Sequence, residues 1–592
     1  MGSALQPGAL GRVDAAVAGG EIVTVIQSPR AFTEALARVK AAPGRKWDKA
    51  RKAWVFPATS VCAAELRAVM APEFSVRGCA RFEALVGVHN AGLAVLRGEG
   101  CGLESQPQAP GRPKLMAHQN LGVALIAARD GSYLAWEMGT GKTAAVIAAA
   151  EMLGARRVLI VCPKAVGAAW VKQWPMWGGD RSVVNLTGGA IRERAGMMRF
   201  YMTRIQEPVA FVVNYEAVWS GELGEAIMEA AKSGGWDLVC FDEAHRLKDA
   251  RGKVSTFAFE LSRHCKRRVA LSGTPVQSTP MDLFAQLRFV DPGVFGTSYA
   301  NFQAEYAHKG GFGGHQILGF KNLKALNERF HMVAHRVTKD ECLDLPPFTD
   351  EVIEIELGAK GRKIYAGIED EFLAEFEDGS ITIQNALVEL LRLQQLTGGH
   401  VKYDEEAEPA LVDTAKRDAL AEILADVAPG DAVAVFARFR ADLDAIHAAA
   451  DAAGRTSAEL SGRRSELAEW QAAGGPAVLA VQINAGGVGI DLTRAAVQVY
   501  YSCGFSWGDY DQSRARVHRQ GQTRAVTYYH LICKDTVDEA VYRALTGKAR
   551  NAAAVVESGA LAREVIDIRN VRRRKPAGAG KGQNTPLAAT GL

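Results

Sequence analysis

The sequence predicts an α/β protein: two doubly wound parallel-sheet lobes, a mainly helical insertion between them, and a small α+β module in front. Three observations carry this. Short apolar runs alternate with helical stretches, the rhythm of parallel sheets buried on both faces. That rhythm occurs twice, over 114–294 and 411–550, and is missing between them. The chain has 592 residues, several times the roughly 100 to 200 of one domain.

Residues 1–20 read as a flexible N-terminus. Over 21–75 an apolar strand (IVTVI), an amphipathic helix from about Ser28 and the text GRKWDKARKAWVFP, which has the look of a hairpin, make a small module. A linker is placed at 76–113, because Gly98 to Pro113 are rich in Gly, Pro, Gln and Ser and carry no apolar periodicity. In the first lobe the strands are SYLAW, RVLIVCP, VAFVVNY, WDLVCFDE and RVALSGTP. Residues 295–410 read as mainly helical, and AVAVFAR, AVLAVQI, AVQVYYS and TYYHLI are the strands of the second lobe. A basic tail, 551–592, has little to bury and is expected to be disordered from about residue 572.

Bulk composition, with 48% hydrophobic and 23% charged residues, is that of a globular protein and does not choose a function. A net charge of +4 is mild, so a polyanionic partner needs local basic patches. The nine cysteines contain no CxxC pair, which argues against a zinc ribbon or a disulfide framework and for a reducing, cytoplasmic compartment. No apolar run approaches the roughly 18 residues of a membrane span, and MGSALQPGAL has no charged start followed by an apolar stretch.

EMGTGKT follows a strand and opens an Ala-rich helix, the context of a phosphate-binding loop. Gly139 and Gly141 permit the tight backbone whose N–H groups surround phosphates at a helix N-terminus. Lys142 is placed to reach the β and γ phosphates and the Thr143 hydroxyl to hold Mg²⁺. Trp136 stands where the strict pattern asks for glycine. WDLVCFDEAH ends an apolar strand in two adjacent carboxylates: Asp242 as metal ligand, Glu243 as general base. DQSRARVHRQGQ puts Arg516 and Arg519 on one face of any helix there, where two arginines can serve as fingers for γ-phosphate charge or merely form a solvated face.

EMGTGKT, DEAH, LSGTP, AGGVGIDLT and QSRARVHRQGQ, in this order and spacing, resemble the Swi/Snf-type ATPases of helicase superfamily two. The resemblance covers about Leu115 to Leu545 and extends to HRVTKDECLDLP and LRLQQLTGGH. It implies RecA-like lobes, an ATP pocket formed by Gln119 at the adenine edge, Met138, Gly139, Thr140, Gly141, Lys142 and Thr143, and by Gly489 and Asp491 of the second lobe, and a non-glycine at Trp136. It also implies that Ser272 and Thr274 link hydrolysis to lobe movement. Its implied partner is DNA, duplex, forked or partly single-stranded, bound without regard to sequence by a monomer. Phosphate contacts fall on Pro163, Lys164, Asn214 and Tyr215 in lobe one and on Lys416, Arg438, Gly486 and Gly487 in lobe two, each basic residue being otherwise a surface charge.

Between Arg38 and Lys52 the front module carries seven basic residues against the single acidic Asp48. Arg45, Lys46 and Lys52 can hold phosphates while Trp47 and Trp54 stack on bases, or Trp54 and Phe56 can simply pack inward. KWDKARKAWVFP resembles the HARP module of annealing helicases, which implies recognition of branched DNA and strand annealing or fork remodelling. The expectation is an ATP-driven, Mg²⁺-dependent DNA translocase. Alternatives are an RNA-dependent helicase and a nucleotide-gated DNA clamp that does not move; intact Lys142, Glu243 and Arg519 speak against the clamp.

Overall fold

Side chains along a strand point alternately to opposite faces, and the first strand of the chain buries Gly11, Val13 and Ala15 in that alternation. The computed structural model describes residues 10–28, 31–99, 113–277, 279–310, 316–377, 383–401, 408–472, 474–483 and 490–546. β1 (Gly11–Ala18), β2 (Glu21–Gln27), β3 (Lys46–Asp48), β4 (Ala53–Pro57) and β5 (Phe74–Gly78) form a sheet ordered β3-β4-β2-β1-β5. Gly19 (φ 59°) and Gly20 (φ 78°) turn β1 back onto β2 with the positive φ values that a two-residue hairpin favours. The sheet thus begins inside the stretch 1–20 that was expected to be flexible, because GRVDAAVA is Ala-rich and poor in strand-forming side chains.

Three helices cover this sheet: Phe32–Ala41, Ser60–Met70 and Ala80–Leu96. The third occupies part of the expected linker 76–113; its two internal glycines, Gly87 and Gly92, weaken the helical signal in the text. Helix Ser60–Met70 seats the module on the next sheet. Val61 is buried in that sheet's core and its N–H donates to Asp291 Oδ2 at 3.4 Å. Arg329 meets Glu65 at 3.2 Å, and a Cβ on Gly293 would lie 2.6 Å from the Cys62 nitrogen.

β6 (Gly131–Trp136), β7 (Arg157–Cys162), β8 (Ser182–Leu186), β9 (Val209–Asn214), β10 (Trp236–Asp242) and β11 (Cys265–Leu271) are parallel neighbours in the second sheet. All five expected strands are here, and β8 is an additional edge strand with only Val184 and Leu186 buried. The segment 295–410 is not a purely helical insertion. It contains the hairpin β12 (Ala307–Gly310) and β13 (Gln316–Phe320), and β14 (Ala334–Val337), which pairs parallel with β6 to give the order β14-β6-β11-β10-β7-β9-β8.

The same segment supplies β15 (Phe348–Ile355) to the third sheet and the two short strands β16 (His400–Val401) and β17 (Ala410–Leu411). β18 (Ala432–Ala437), β19 (Ser457–Leu460), β20 (Val478–Gln482), β21 (Ala495–Tyr500) and β22 (Val526–Cys533) complete a parallel sheet ordered β15-β22-β21-β18-β20-β19. β15 escapes a reading of apolar runs because it is an edge strand, FTDEVIEI, with only Ile355 buried. The protein is therefore α/β, with two parallel-sheet lobes and a small N-terminal sheet. It falls into two compact units: Met1–Leu345 with Val488–Asp491 and His518–Gly521, and Pro346–Gly487 with Leu492–Val517 and Gln522–Leu592. No helix among the described residues is long and apolar enough to cross a membrane.

Candidate active site

β6 is buried along its whole length, and the chain leaves its C-terminal end through Glu137–Gly141 into helix Lys142–Met152. Gly139 (φ 84°) and Gly141 (φ 86°) hold the left-handed backbone of this loop. A Cβ on Gly141 would lie 2.1 Å from Gln119 Nε2, so glycine is needed for approach as well as for conformation. Gln119 is buried, its Oε1 accepting the Met116 N–H (2.9 Å) and its Nε2 donating to the Thr140 carbonyl (3.1 Å). His118 Nε2 stands 2.7 Å from the same carbonyl, and Thr140 Oγ1 donates to the Glu137 carbonyl at 2.8 Å. Met138 is buried beside Gly273, and Thr143 is half-buried in the first turn of the helix.

Lys142 Nζ donates to the carbonyls of Trp136 (2.9 Å) and Glu137 (3.2 Å), which keeps the ammonium under the loop. Trp136 turns its indole away from the loop. The ring packs against Gly122, whose Cβ would lie 2.5 Å from it, and Nε1 donates to His335 Nδ1 at 2.9 Å. Burial, aided by nearby His118, lowers the His335 pKa to about 4, so the ring stays neutral and can accept. The side chain at the missing glycine position therefore belongs to the core and leaves the loop unobstructed.

The two carboxylates sit at the C-terminal end of β10, two strands from β6 in the same sheet. Asp242 Oδ2 accepts the Trp170 indole N–H at 2.9 Å. Burial first and Glu243 second raise the Asp242 pKa to about 6, while Trp170 and Lys142 act in the opposite sense. Such a buried acidic pair beside an ammonium is a donor set that suits a divalent cation. Glu243 occupies φ 57°, a strained conformation for a non-glycine residue that recurs at functional sites. Tyr215 Oη donates to the carbonyls of Asp242 (2.8 Å) and Glu243 (3.1 Å) and so holds this turn from behind. His245 Nδ1 lies 3.3 Å from Glu243 Oε2 and 3.0 Å from Ser272 Oγ, which in turn accepts the Thr274 N–H at 3.1 Å. A chain of polar contacts thus links the carboxylates to LSGTP.

Arg519 falls in the first compact unit together with the loop, where a Cβ on Gly139 would lie 3.2 Å from the Arg519 Cβ. Its Nη1 donates to the Ile490 carbonyl at 3.2 Å. The two arginines do not share a helical face, a correction to the sequence reading: helix Trp507–Val517 contains the buried Arg516 and ends before Arg519. Asp491 is exposed, and Gly486, Gly487 and Gly489 lie outside the described residues.

Several expected backbone contacts move. Lys164 is exposed at the end of β7, but Pro163 is buried. Asn214 is buried, accepting from Arg194 and donating to Glu216, and Tyr215 is buried as described. Lys416 is corrected from a surface grip to an internal ion pair, 2.6 Å from Asp538, with a bond to the Tyr501 carbonyl at 3.0 Å. Burial pushes its pKa down, but Asp538 more than offsets this and keeps the ammonium charged. Arg438 is half-buried, with its guanidinium 4.6 Å from the Phe505 ring centroid and Nη1 donating to Gln394 at 2.7 Å. In the front module Arg45, Lys46, Trp47 and Lys52 are exposed. Trp54 is half-buried against that module's core, 5.3 Å from the Trp47 ring, so the inward reading holds in part for Trp54 and fully for Phe56. Trp170, Tyr215 in its real role, His245 and His335 were not found from the sequence. Trp170 lies in CPKAVGAAWVKQW, just after β7, but nothing in that text connects it to a carboxylate 72 residues later.

Residues 93–398 match the SNF2-related domain and residues 415–521 the helicase conserved C-terminal domain. Among curated proteins, a Caenorhabditis elegans homolog of the SWI/SNF-related matrix-associated actin-dependent regulator of chromatin subfamily A-like protein 1 is 30% identical, covering 74% of this chain and 61% of the relative. The Mus musculus chromodomain-helicase-DNA-binding protein 1-like is 27% identical, covering 73% of this chain and 48% of the relative. The chain thus spans about half to three fifths of the length of these two relatives. Among solved structures, the Sulfolobus solfataricus SWI2/SNF2 ATPase core in complex with dsDNA aligns at 21% identity and a TM-score of 0.35, covering 79% of this chain and 99% of that one.

Proposed function

Because the chain belongs to the SNF2-related family, with a helicase C-terminal domain beside it, we infer that it is a nucleic-acid-dependent ATPase and propose that hydrolysis drives its movement along DNA. One observation supports this above the others. The glycine loop, Lys142, Asp242 and Glu243 lie at the same end of one sheet, and His245 ties Glu243 to Ser272.

In this reading the phosphates of ATP take the place of the Trp136 and Glu137 carbonyls as acceptors for Lys142. Thr143 and Asp242 are the residues that would hold Mg²⁺, whose bound form neutralises phosphate charge. Trp170 fixes the orientation of the Asp242 carboxylate. Glu243 takes a proton from the attacking water, and its proximity to His245 relays the change toward Ser272 and Thr274. Arg519 adds positive charge where the γ-phosphate leaves, an effect worth about 10³ to 10⁵ in rate in other nucleotide hydrolases. Lys164 and Arg438 are the remaining candidates for the phosphate backbone, while the basic hairpin with Trp47 favours branched or partly single-stranded DNA and, as output, annealing or fork remodelling.

The test is the ATPase rate of the full chain with no nucleic acid, with duplex DNA, with forked DNA and with RNA. The expected order is forked and duplex DNA well above RNA and above the basal rate. Equal rates in all four would refute the motor.

A further inference from the structure

We propose that the cleft between the N-terminal sheet and the first parallel sheet holds a single strand of nucleic acid by its phosphates, at a place separate from the nucleotide loop. This rests on the DNA-dependent reading above and adds a second binding site to it.

The cleft measures about 1210 Å³, larger than the roughly 300–1,000 Å³ of a small-molecule pocket. One wall is the front module, at Gly19, Gly20, Lys46 and Arg81; the other is the N-terminal edge of the sheet, at Asp130, Arg156, Asp237 and Lys266. The nucleotide loop and the carboxylates leave β6 and β10 at their opposite ends, so the two places are separated by a strand length of about 20 Å. The walls are fixed to each other by the Val61–Asp291 and Glu65–Arg329 contacts and by the close approach at Gly293. The cleft is therefore built into the fold.

Its charge selects the occupant. Seven lysines and arginines line it against three carboxylates, and each carboxylate already has a partner: Glu21 with Arg51 at 2.8 Å, Asp130 with Arg267 at 2.9 Å and Asp237 with Lys266 at 2.8 Å. Lys46, Arg81, Arg156, Arg263 and Arg268 are left without a carboxylate in the lining; of these, Arg268 donates to the carbonyls of Val290, Ser262 and Cys265 and Arg156 to that of Gln206, so Lys46, Arg81 and Arg263 are the cations turned to an occupant. Arg263 pairs outside it with Glu260, but both side chains are about half exposed (58% and 44%), and such a pair is too weak to withhold the guanidinium from a phosphate. A cationic groove that can track a phosphate backbone is the electrostatic part of sequence-tolerant single-strand binding.

The test uses the full chain without nucleotide and a labelled oligo(dT) strand, with a blunt duplex as comparison, titrated over a range of salt. Wild-type protein should bind the strand. Arg263→Glu, at an exposed position, should weaken that binding about tenfold and reduce the salt slope by about 0.7, the value of one lost phosphate contact. Arg81→Glu, on the opposite wall, should produce the same kind of loss. Duplex-stimulated ATP hydrolysis should be unchanged in both variants. An unaltered strand affinity and slope overturns the proposal while leaving the motor intact, and so does an equal loss for strand and duplex. Wild-type protein that binds neither DNA would instead remove the DNA reading itself.

Discussion

Gly141 is the most constrained residue of the site, because its φ of 86° and the Gln119 amide each exclude a Cβ. Gly141→Ala should abolish nucleotide binding, read with a fluorescent ATP analogue, while the thermal midpoint falls only modestly; unchanged affinity would mean the loop is not where phosphates bind. Trp170 is the residue whose role depends most on folding. Trp170→Phe keeps the ring and removes the N–H bound to Asp242, so the Mg²⁺ concentration for half-maximal hydrolysis should rise several-fold, and an unaltered Mg²⁺ dependence would contradict its part in orienting Asp242. Lys142, Asp242 and Glu243 were legible in the sequence because a loop, a strand end and a spacing announce them together. Trp170 was not, since a hydrogen bond to a carboxylate on another strand leaves no periodic trace. Lys416 was misread for the opposite reason: a lysine in text reads as solvated charge, and only the fold reveals Asp538 beside it.

At the scale of elements, β6 carries the departure at Trp136. Trp136→Ala removes a fully buried indole and its bond to His335, and should cost about 3–5 kcal/mol, visible as a lowered unfolding midpoint. Helix Ala415–Asp426 presents Lys416 inward. Lys416→Ala strands the buried Asp538 and should destabilise by about 3–5 kcal/mol, whereas Lys416→Met with Asp538→Leu should be milder; a selective loss of DNA affinity without loss of stability would return Lys416 to the track. Helix Ala80–Leu96 buries His89, whose pKa is lowered to about 4 by burial first and Arg129 second. The unfolded chain protonates this ring as pH falls through its ordinary value near 6.5, and the folded one only near 4. Its contribution is therefore present above pH 6.5 and lost on the way down to 4. His89→Phe should lose less of its midpoint than wild type between pH 7 and pH 5, and parallel losses would contradict this. These edges and helices were the weak part of the sequence reading: β8, β14 and β15 are edge strands with little to bury, and β1 is rich in alanine.

For the whole molecule, the apolar strands at the centres of both large sheets were legible, because a strand covered on both faces is continuously hydrophobic. The boundaries were less so, since β14 and β15 leave the segment between the lobes and join the sheets on either side. Family membership agrees with the order of the motifs, and the local geometry supplies a reason for EMGTGKT, DEAH and LSGTP. Hydrolysis at the Lys142 loop, stimulated by DNA, is the claim on which the rest depends. Its most direct measurement is steady-state ATP hydrolysis at saturating duplex DNA by wild-type protein, Lys142→Ala and Glu243→Gln, with DNA binding and thermal midpoint followed in parallel. Both variants should fold, bind DNA and hydrolyse at least about a hundredfold more slowly; wild-type turnover in either of them would contradict the account.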